Sequence, residues 1–279
     1  MHLLVTNDDG IDSVFLHELV LALRSGGHVV AVVAPKREQS WIGAAKSRHR
    51  PVTSEIADHG LACPTWIVDG TPSDCVNIAL AHLLPRTADG RPGVPDSAAP
   101  GGTSGRVMPI DAVVSGINIG LNASLGFILA SGTIGGAWEG AVHGLPAVAL
   151  SQDLSFAAYD RLKSAGGAPE PDLLAILKIS AAHAAHLIPQ LCAGTAPRSF
   201  TVHNLNFPYP CRPDSTLRRT VPARVIVPGL FSPAQDDGTH RFVFQLGEDI
   251  SPTEPLTDRA ALAAGYISHT VLDYRKLGE

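Results

Sequence analysis

Residues 3–7, LLVTN, form a short apolar run of the kind found in strands buried on both faces. Leu16, Leu19, Val20 and Leu23 then recur at helical spacing, and SGG at 25–27 ends that helix. HVVAVVAP at 28–35 reads as a second buried strand, closed by Pro35. Strand, helix and strand within about 35 residues make a βαβ unit, which predicts a parallel sheet with right-handed crossovers.

The alternation continues along the chain. TWIVDGTPSD predicts a strand and a turn, and CVNIALAHLL a helix. DAVVSGIN is a strand running into a loop, TIGGAWEGAVHG a helix closed by Gly144, and PAVALS a further strand. The Gly- and Pro-rich stretch 86–106 has no periodicity and reads as an exposed, mobile loop. Residues 172–191 predict one long helix. Beyond about residue 210 the texture changes to short strands such as ARVIVPG and RFVFQL. The fold class is therefore α/β: a mostly parallel sheet flanked by helices, with a smaller β-rich C-terminal extension. The expected division is a core over 1–209 and the extension over 210–279, within one unit of 279 residues.

Composition narrows the function classes. With 45% hydrophobic and 17% charged residues, the chain has the material for a substantial core. A formal net charge of −5 argues against binding a nucleic acid polymer, which calls for a basic excess. The four cysteines, Cys63, Cys75, Cys192 and Cys211, show no C-x-x-C spacing, so reduced thiols in the cytoplasm are expected. No targeting segment precedes the first strand, and no apolar run approaches the ~20 residues of a membrane span.

Candidate chemistry follows from where polar residues gather. In open parallel sheets, ligands bind beyond the carboxyl ends of the strands. The first strand ends in Asn7, Asp8, Asp9 and Gly10, and the second leads through APKREQS to Ser40. The next turn supplies Thr71 and Asp74; the VVS strand leads to Gly116, Asn118, Gly120 and Asn122; a later helix opens with Ser131, Gly132 and Thr133. Singly, each has a plainer reading. An Asp-Asp-Gly or an Asn after a strand is a common turn, and Ser131–Thr133 or Asp74 serves as an ordinary helix cap. Together they place oxygen-bearing groups on one rim. Two adjacent buried carboxylates repel unless one is protonated or a cation lies between them. Such oxygens suit a hard cation, Mg²⁺ or Mn²⁺. The helix start at Ser131–Thr133 offers backbone N–H groups to a phosphate, and metal plus anion pocket points to phosphoryl chemistry.

The ordered set TNDDG at 6–10, APKREQS at 34–40, GTPSDCV at 70–76, SGINIGLN at 115–122 and SGTIGGAWEG at 131–140 resembles the SurE family of survival proteins. NLNFP at 204–208 and TDRAALAAGYIS at 257–268 extend the resemblance over nearly the whole chain. It implies a Rossmann-like core and a metal-dependent 5′/3′-nucleotidase acting on nucleoside monophosphates, with short polyphosphate as a further substrate. It also implies one divalent cation per subunit on Asp8, Asp9, Ser40 and Asn118. Substrate would lie against Asn118, Gly120, Asn122, Ser131, Gly132 and Thr133. A homodimer or homotetramer built through the C-terminal extension is implied as well.

The sequence departs from the family pattern at several places. Trp41 stands where Gly usually follows the serine, and Ser47 where Thr is common. ASLGFILA at 123–130 lacks the family's Gly-Asp-Asp run, and Ala130 replaces its Tyr. In SHTVL, His269 takes the variable place and Val271 replaces Pro.

The working mechanism is attack of a metal-activated water on the phosphate, with Asp8 and Asp9 dividing metal binding and proton acceptance. An aspartyl-phosphate route is the alternative chemistry, and a non-catalytic nucleotide sensor the alternative function. Asp258, in a Thr-Asp before a helical stretch, is either an N-cap or a residue reaching the active site. A dinucleotide oxidoreductase is excluded, since Asn-Asp-Asp-Gly stands where a Gly-x-Gly-x-x-Gly fingerprint belongs. His183, His186 and His203 read as structural, and Lys36 and Arg37 as solvated loop charges.

Overall fold

The computed structural model describes residues 1–96 and 105–277. The first βαβ unit is β1 (His2–Thr6), α1 (Val14–Ser25) and β2 (Val29–Pro35). Next come β3 (Ser54–Ile56), β4 (Thr65–Val68) and α2 (Pro72–Ile78), which runs on as one π-helical turn over Ala79–Leu83. A small antiparallel pair, β5 (Gly93–Pro95) with β6 (Val107–Pro109), flanks the Gly/Pro-rich stretch, of which residues 97–104 lie outside the described residues. Then follow β7 (Ala112–Ile119), α3 (Leu125–Ala130), α4 (Gly132–Val142), β8 (Ala147–Gln152), α5 (Phe156–Ser164), α6 (Pro171–Ala193) and β9 (Thr201–Phe207). The C-terminal part adds β10 (Leu217–Thr220), β11 (Val225–Ile226), β12 (Glu248–Asp249), α7 (Asp258–Ala263) and β13 (Ile267–Asp273).

One nine-stranded sheet runs in the order β10-β13-β9-β8-β7-β1-β2-β4-β3. Its centre is parallel, while β13 runs antiparallel to β9 and β3 antiparallel to β4. The period-two alternation of strands assigns the faces. Leu3 and Val5 of β1 pack with the α1 residues Phe15, Leu16 and Leu19 and the α6 residues Leu177 and Ile188. Leu4, between them, packs on the other face with Val33, Cys75 and Val76. Gly26 stops α1, Thr71 caps α2, and Pro171 opens α6, where a missing N–H costs nothing.

Two expectations change. RFVFQL alternates as a strand would, yet forms none; only a single bridge joins Phe231 to Phe242. The arm between β11 and β12 finds no sheet edge within the chain, and its aromatic side chains pack against the core instead. The unassigned ASLGFILA stretch contains α3. Its Leu125 amide donates to the Ala223 carbonyl at 3.1 Å, tying it to the C-terminal part.

Candidate active site at the strand tips

Three successive loops meet beyond the carboxyl ends of β1, β2 and β7. The backbone N–H of Gln39 donates to the Asp8 carbonyl at 2.6 Å, drawing the β2 loop over the tip of β1. The Gly43 N–H donates to the Ala130 carbonyl at 2.9 Å, which fastens the same loop to the residue before α4. Farther along, Lys46 pairs with the buried Glu139 of α4 at 2.6 Å, and the Thr71 hydroxyl donates to the Ala45 carbonyl at 2.7 Å.

Asp8 is buried and Asp9 partly so. The Thr133 hydroxyl donates to Asp8 Oδ1 at 2.5 Å, and the Ile119 amide donates to Asp9 Oδ2 at 3.0 Å. Burial pushes the Asp8 carboxyl up to about 6, only partly offset by the Thr133 hydroxyl and amide. Burial and the neighbouring Asp8 charge raise Asp9 well above the ordinary carboxylate range. Glu38 adds its negative charge to both, so the pocket is strongly electronegative. Gly132 makes this closeness possible. A Cβ there would lie 2.9 Å from the Asp8 Cβ and 3.0 Å from both Asp8 Oδ2 and the Gln39 carbonyl.

A break in β7 aims Asn118 at the same rim. Its pairing with β8 shifts register between Ser115 and Asn118, an irregularity that re-aims side chains at a strand end. Gly116 has φ +133°, and a Cβ would sit 2.3 Å from the Leu150 carbonyl oxygen, so only glycine fits. Asn118 Nδ2 donates to the Gly120 carbonyl at 2.8 Å, which fixes the amide's orientation within its own loop. The Ser40 hydroxyl is exposed at the mouth and donates to Glu38 Oε1 at 2.8 Å.

Other residues singled out in the sequence serve the scaffold. Asn122 donates through Nδ2 to the Ser151 hydroxyl at 2.9 Å, and its backbone N–H donates to Asn206 Oδ1 at 2.7 Å. Its side-chain amide is thereby committed to the end of β8. Ser131 caps α4 by accepting from the Ile134 amide at 3.1 Å, while both the hydroxyl and the amide of Thr133 serve Asp8. The helix start therefore offers an incoming anion fewer free donors than its sequence suggests. Asp258 is fully buried and accepts from the amides of Ser124, Ala223 and Arg259 at 2.8, 2.9 and 2.8 Å. It is a staple between α3 and α7, and Thr257 is the residue that caps α7. Asp74 completes a reciprocal capping box with Thr71. His183 Nε2 lies 2.8 Å from the Arg212 carbonyl and His186 Nε2 2.9 Å from Gln190 Nε2, so these histidines have separate partners.

Sequence reasoning overlooked Glu38, the Ile119 amide and the clamp of Thr133 on Asp8. Only the position of Glu38 within the loop after β2 hinted at its place.

Among the described residues no group of three or more His, Cys, Asp or Glu side chains is gathered as a metal site. A cation at this rim therefore relies on two carboxylates supplemented by neutral amide and hydroxyl oxygens. That donor set fits a hard divalent ion, which keeps several of its own waters. The raised Asp8 and Asp9 carboxyls fit it too, because a bound cation relieves the repulsion between them.

An α/β sheet with two acids at its first strand tip, facing a helix N-terminus, defines a protein of the strand-end ligand-binding class. Residues 3–226 match the family described as "Survival protein SurE", and the chain belongs to that family. A relative from Solidesulfovibrio magneticus, named 5′-nucleotidase SurE, is 35% identical over 98% of this chain and 92% of its own. The relative of the same name from Desulforudis audaxviator is 39% identical over 54% of this chain. Against it and the Nostoc relative the chain spans about half their length, 50% and 49%. The crystal structure of the SurE protein from Aquifex aeolicus superposes with a TM-score of 0.68 at 26% identity, covering 98% of this chain and 93% of that one.

Proposed function

We propose that this chain is a divalent-metal-dependent phosphomonoesterase that hydrolyses nucleoside 5′- and 3′-monophosphates. Short polyphosphate is a further substrate of the same site. The observation that carries the reading is the Asp8–Asp9 pair, raised by burial and braced from the protein side by Thr133 and the Ile119 amide. The names of the full-length relatives support the same activity.

Asp8, Asp9, Ser40 and Asn118 would hold one Mg²⁺ or Mn²⁺ per subunit. When bound, the cation supplies Lewis-acid polarisation of a phosphoryl oxygen and lowers the pKa of water. Asp8, clamped by Thr133, is the fixed member of the pair. Asp9, held by a single amide and partly exposed, accepts the proton of the attacking water. Asn118, Gly120 and the Ser131–Gly132–Thr133 turn orient the phosphate, and the exposed Ser40 lines its entry.

The chain works as a homodimer or homotetramer through residues 210–279, a reading supported by the exposed Ile226, Phe231 and Ile250 of that segment. A cytoplasmic location accords with four unpaired cysteines. Among the described residues no helix is long and apolar enough to cross a membrane.

The test is phosphate release from nucleoside 5′- and 3′-monophosphates, diphosphates and tripolyphosphate, each with Mg²⁺, Mn²⁺ or chelator. Metal-dependent release from the monophosphates is the expected result. Binding of nucleotide with no phosphate released under any metal would overturn the proposal in favour of a sensor.

A further inference from the structure

Beside the acidic rim lies an aromatic surface assembled from four distant parts of the chain. Trp41 follows Ser40 in the β2 loop; Phe127 sits on α3, which runs directly into Ala130 and Ser131. The arm between β11 and β12 brings Phe242 and Phe244, and α5 brings Phe156. The Trp41 ring centroid lies 5.5 Å from Phe127, 5.0 Å from Phe242 and 6.3 Å from Phe244. These contacts are tilted or edge-on, at 67°, 60° and 66°, so they do not bury the indole face. Trp41 stays 41% exposed, while Phe127 is buried beneath it. On the protein side, the Arg259 guanidinium lies 5.3 Å from the Phe127 ring centroid and donates to the Leu246 carbonyl at 3.0 Å, joining α7 to both α3 and the arm.

The backbone of Trp41 carries an independent sign of purpose. Its φ of +62° lies in the left-handed region, where glycine is at ease and a bulky side chain is not. Such strain costs on the order of 1–3 kcal/mol and persists where the surrounding structure has a use for it. The adjacent contacts of Gln39 with Asp8 and of Gly43 with Ala130 hold Trp41 at the edge of the acidic rim.

We propose that Trp41, backed by Phe127 and flanked by Phe242 and Phe244 of the arm, is the surface on which the base of a nucleotide substrate stacks. This inference rests on the phosphomonoesterase reading of the rim, and deepens it by naming what discriminates nucleotides from sugar phosphates. Exposed aromatic faces beside a phosphate site are the sequence-tolerant way to hold a base, since every base has a π-face. The arm's reach to Trp41 makes the C-terminal extension part of the substrate site.

The test compares AMP with ribose 5-phosphate, which shares phosphate and sugar but lacks the base. Stacking of one base corresponds to a factor of roughly 5 to 150. In Trp41→Gly the ratio of kcat/KM for AMP to that for ribose 5-phosphate falls by about that factor, mainly through KM for AMP. Glycine relieves the left-handed backbone, so the loss does not come from a misfolded loop. Phe244→Ala lowers the ratio in the same direction by a smaller factor. An unchanged ratio in both variants overturns the proposal.

A second arm needs neither metal nor turnover. Three tryptophans are present, so adenosine in chelator quenches fluorescence of the wild type, and Trp41→Phe removes that quench while Trp66 and Trp138 remain. No quench in the wild type overturns the stacking surface. A quench in a protein that releases no phosphate from either ester leaves the surface standing and refutes the phosphomonoesterase reading instead.

Discussion

The acidic rim and the aromatic mouth lie side by side but are built by opposite means. At the rim, Asp8, Asp9, Asn118 and Thr133 come from strand ends and a helix start, and backbone or side-chain hydrogen bonds fix each carboxylate. At the mouth, Trp41, Phe127, Phe242 and Phe244 come from loops, a short helix and an arm, and meet by ring contacts alone. Directional bonds on a rigid sheet suit chemistry that needs carboxylates held to within a fraction of an ångström. Adjustable apolar faces suit a ligand group that is flat and variable. Changes at the rim should therefore strike turnover of every ester alike, whereas changes at the mouth should alter choice among esters.

The largest effect is expected where the rim's charge is removed. Asp8→Asn or Asp9→Asn should lower kcat by at least about a thousandfold toward every phosphomonoester, measured by phosphate release with Mn²⁺ supplied. A loss confined to nucleotides would erase the distinction between the two regions. Next comes the brace. Thr133→Val removes the hydroxyl from Asp8 and should cost about 10- to 100-fold in metal affinity or rate. Its effect should be equal for AMP and ribose 5-phosphate, measured as kcat/KM for each.

A smaller effect concerns stability. The ionised Asp8 destabilises the metal-free fold above about pH 6, and this cost fades as pH falls toward 3.8, the ordinary value. A divalent cation should therefore raise Tm most above pH 6, by roughly 5–10 °C at a hundredfold excess over Kd. The rise should shrink toward pH 4, as differential scanning fluorimetry would show.

The smallest effect lies far from both regions. His203 Nδ1 and His269 Nε2 lie 2.9 Å apart across β9 and β13, and His203 also meets the Thr195 hydroxyl at 2.6 Å. Burial lowers both rings from 6.5 to about 4, so the fold keeps them neutral. Their contribution is complete above pH 6.5 and is lost as pH falls toward 4. His269→Gln should flatten Tm over that window while leaving the rate at pH 7.5 unchanged.

Legibility in the sequence divides along the same line. Apolar strands such as LLVTN and AVVS, with polar residues at their ends, mark both the parallel sheet and its reactive edge, because burial on two faces leaves only the tip for charge. The capping roles of Ser131 and Asp74 follow from local spacing as well. The mouth is not legible this way. Trp41 and Phe244 are about 200 positions apart, and no periodicity marks an aromatic contact between a loop and an arm. RFVFQL misleads for the same reason: alternation reports two faces, but not whether a neighbouring strand exists to receive them. Asn122 and Asp258 look like site residues because short polar side chains near glycines serve turns, caps and ligands alike. Only their tertiary partners, Ser151 for the one and the Ser124 and Ala223 amides for the other, separate these uses.

The most direct test of the paired acids is equilibrium titration of the full chain with Mn²⁺ at pH 7.5, followed by calorimetry or by the free-ion spin resonance signal. The wild type should take up one ion per chain, and Asp8→Asn combined with Asp9→Asn should take up none. Equal uptake by that double variant, or no uptake by the wild type, would contradict a cation site at the tip of β1.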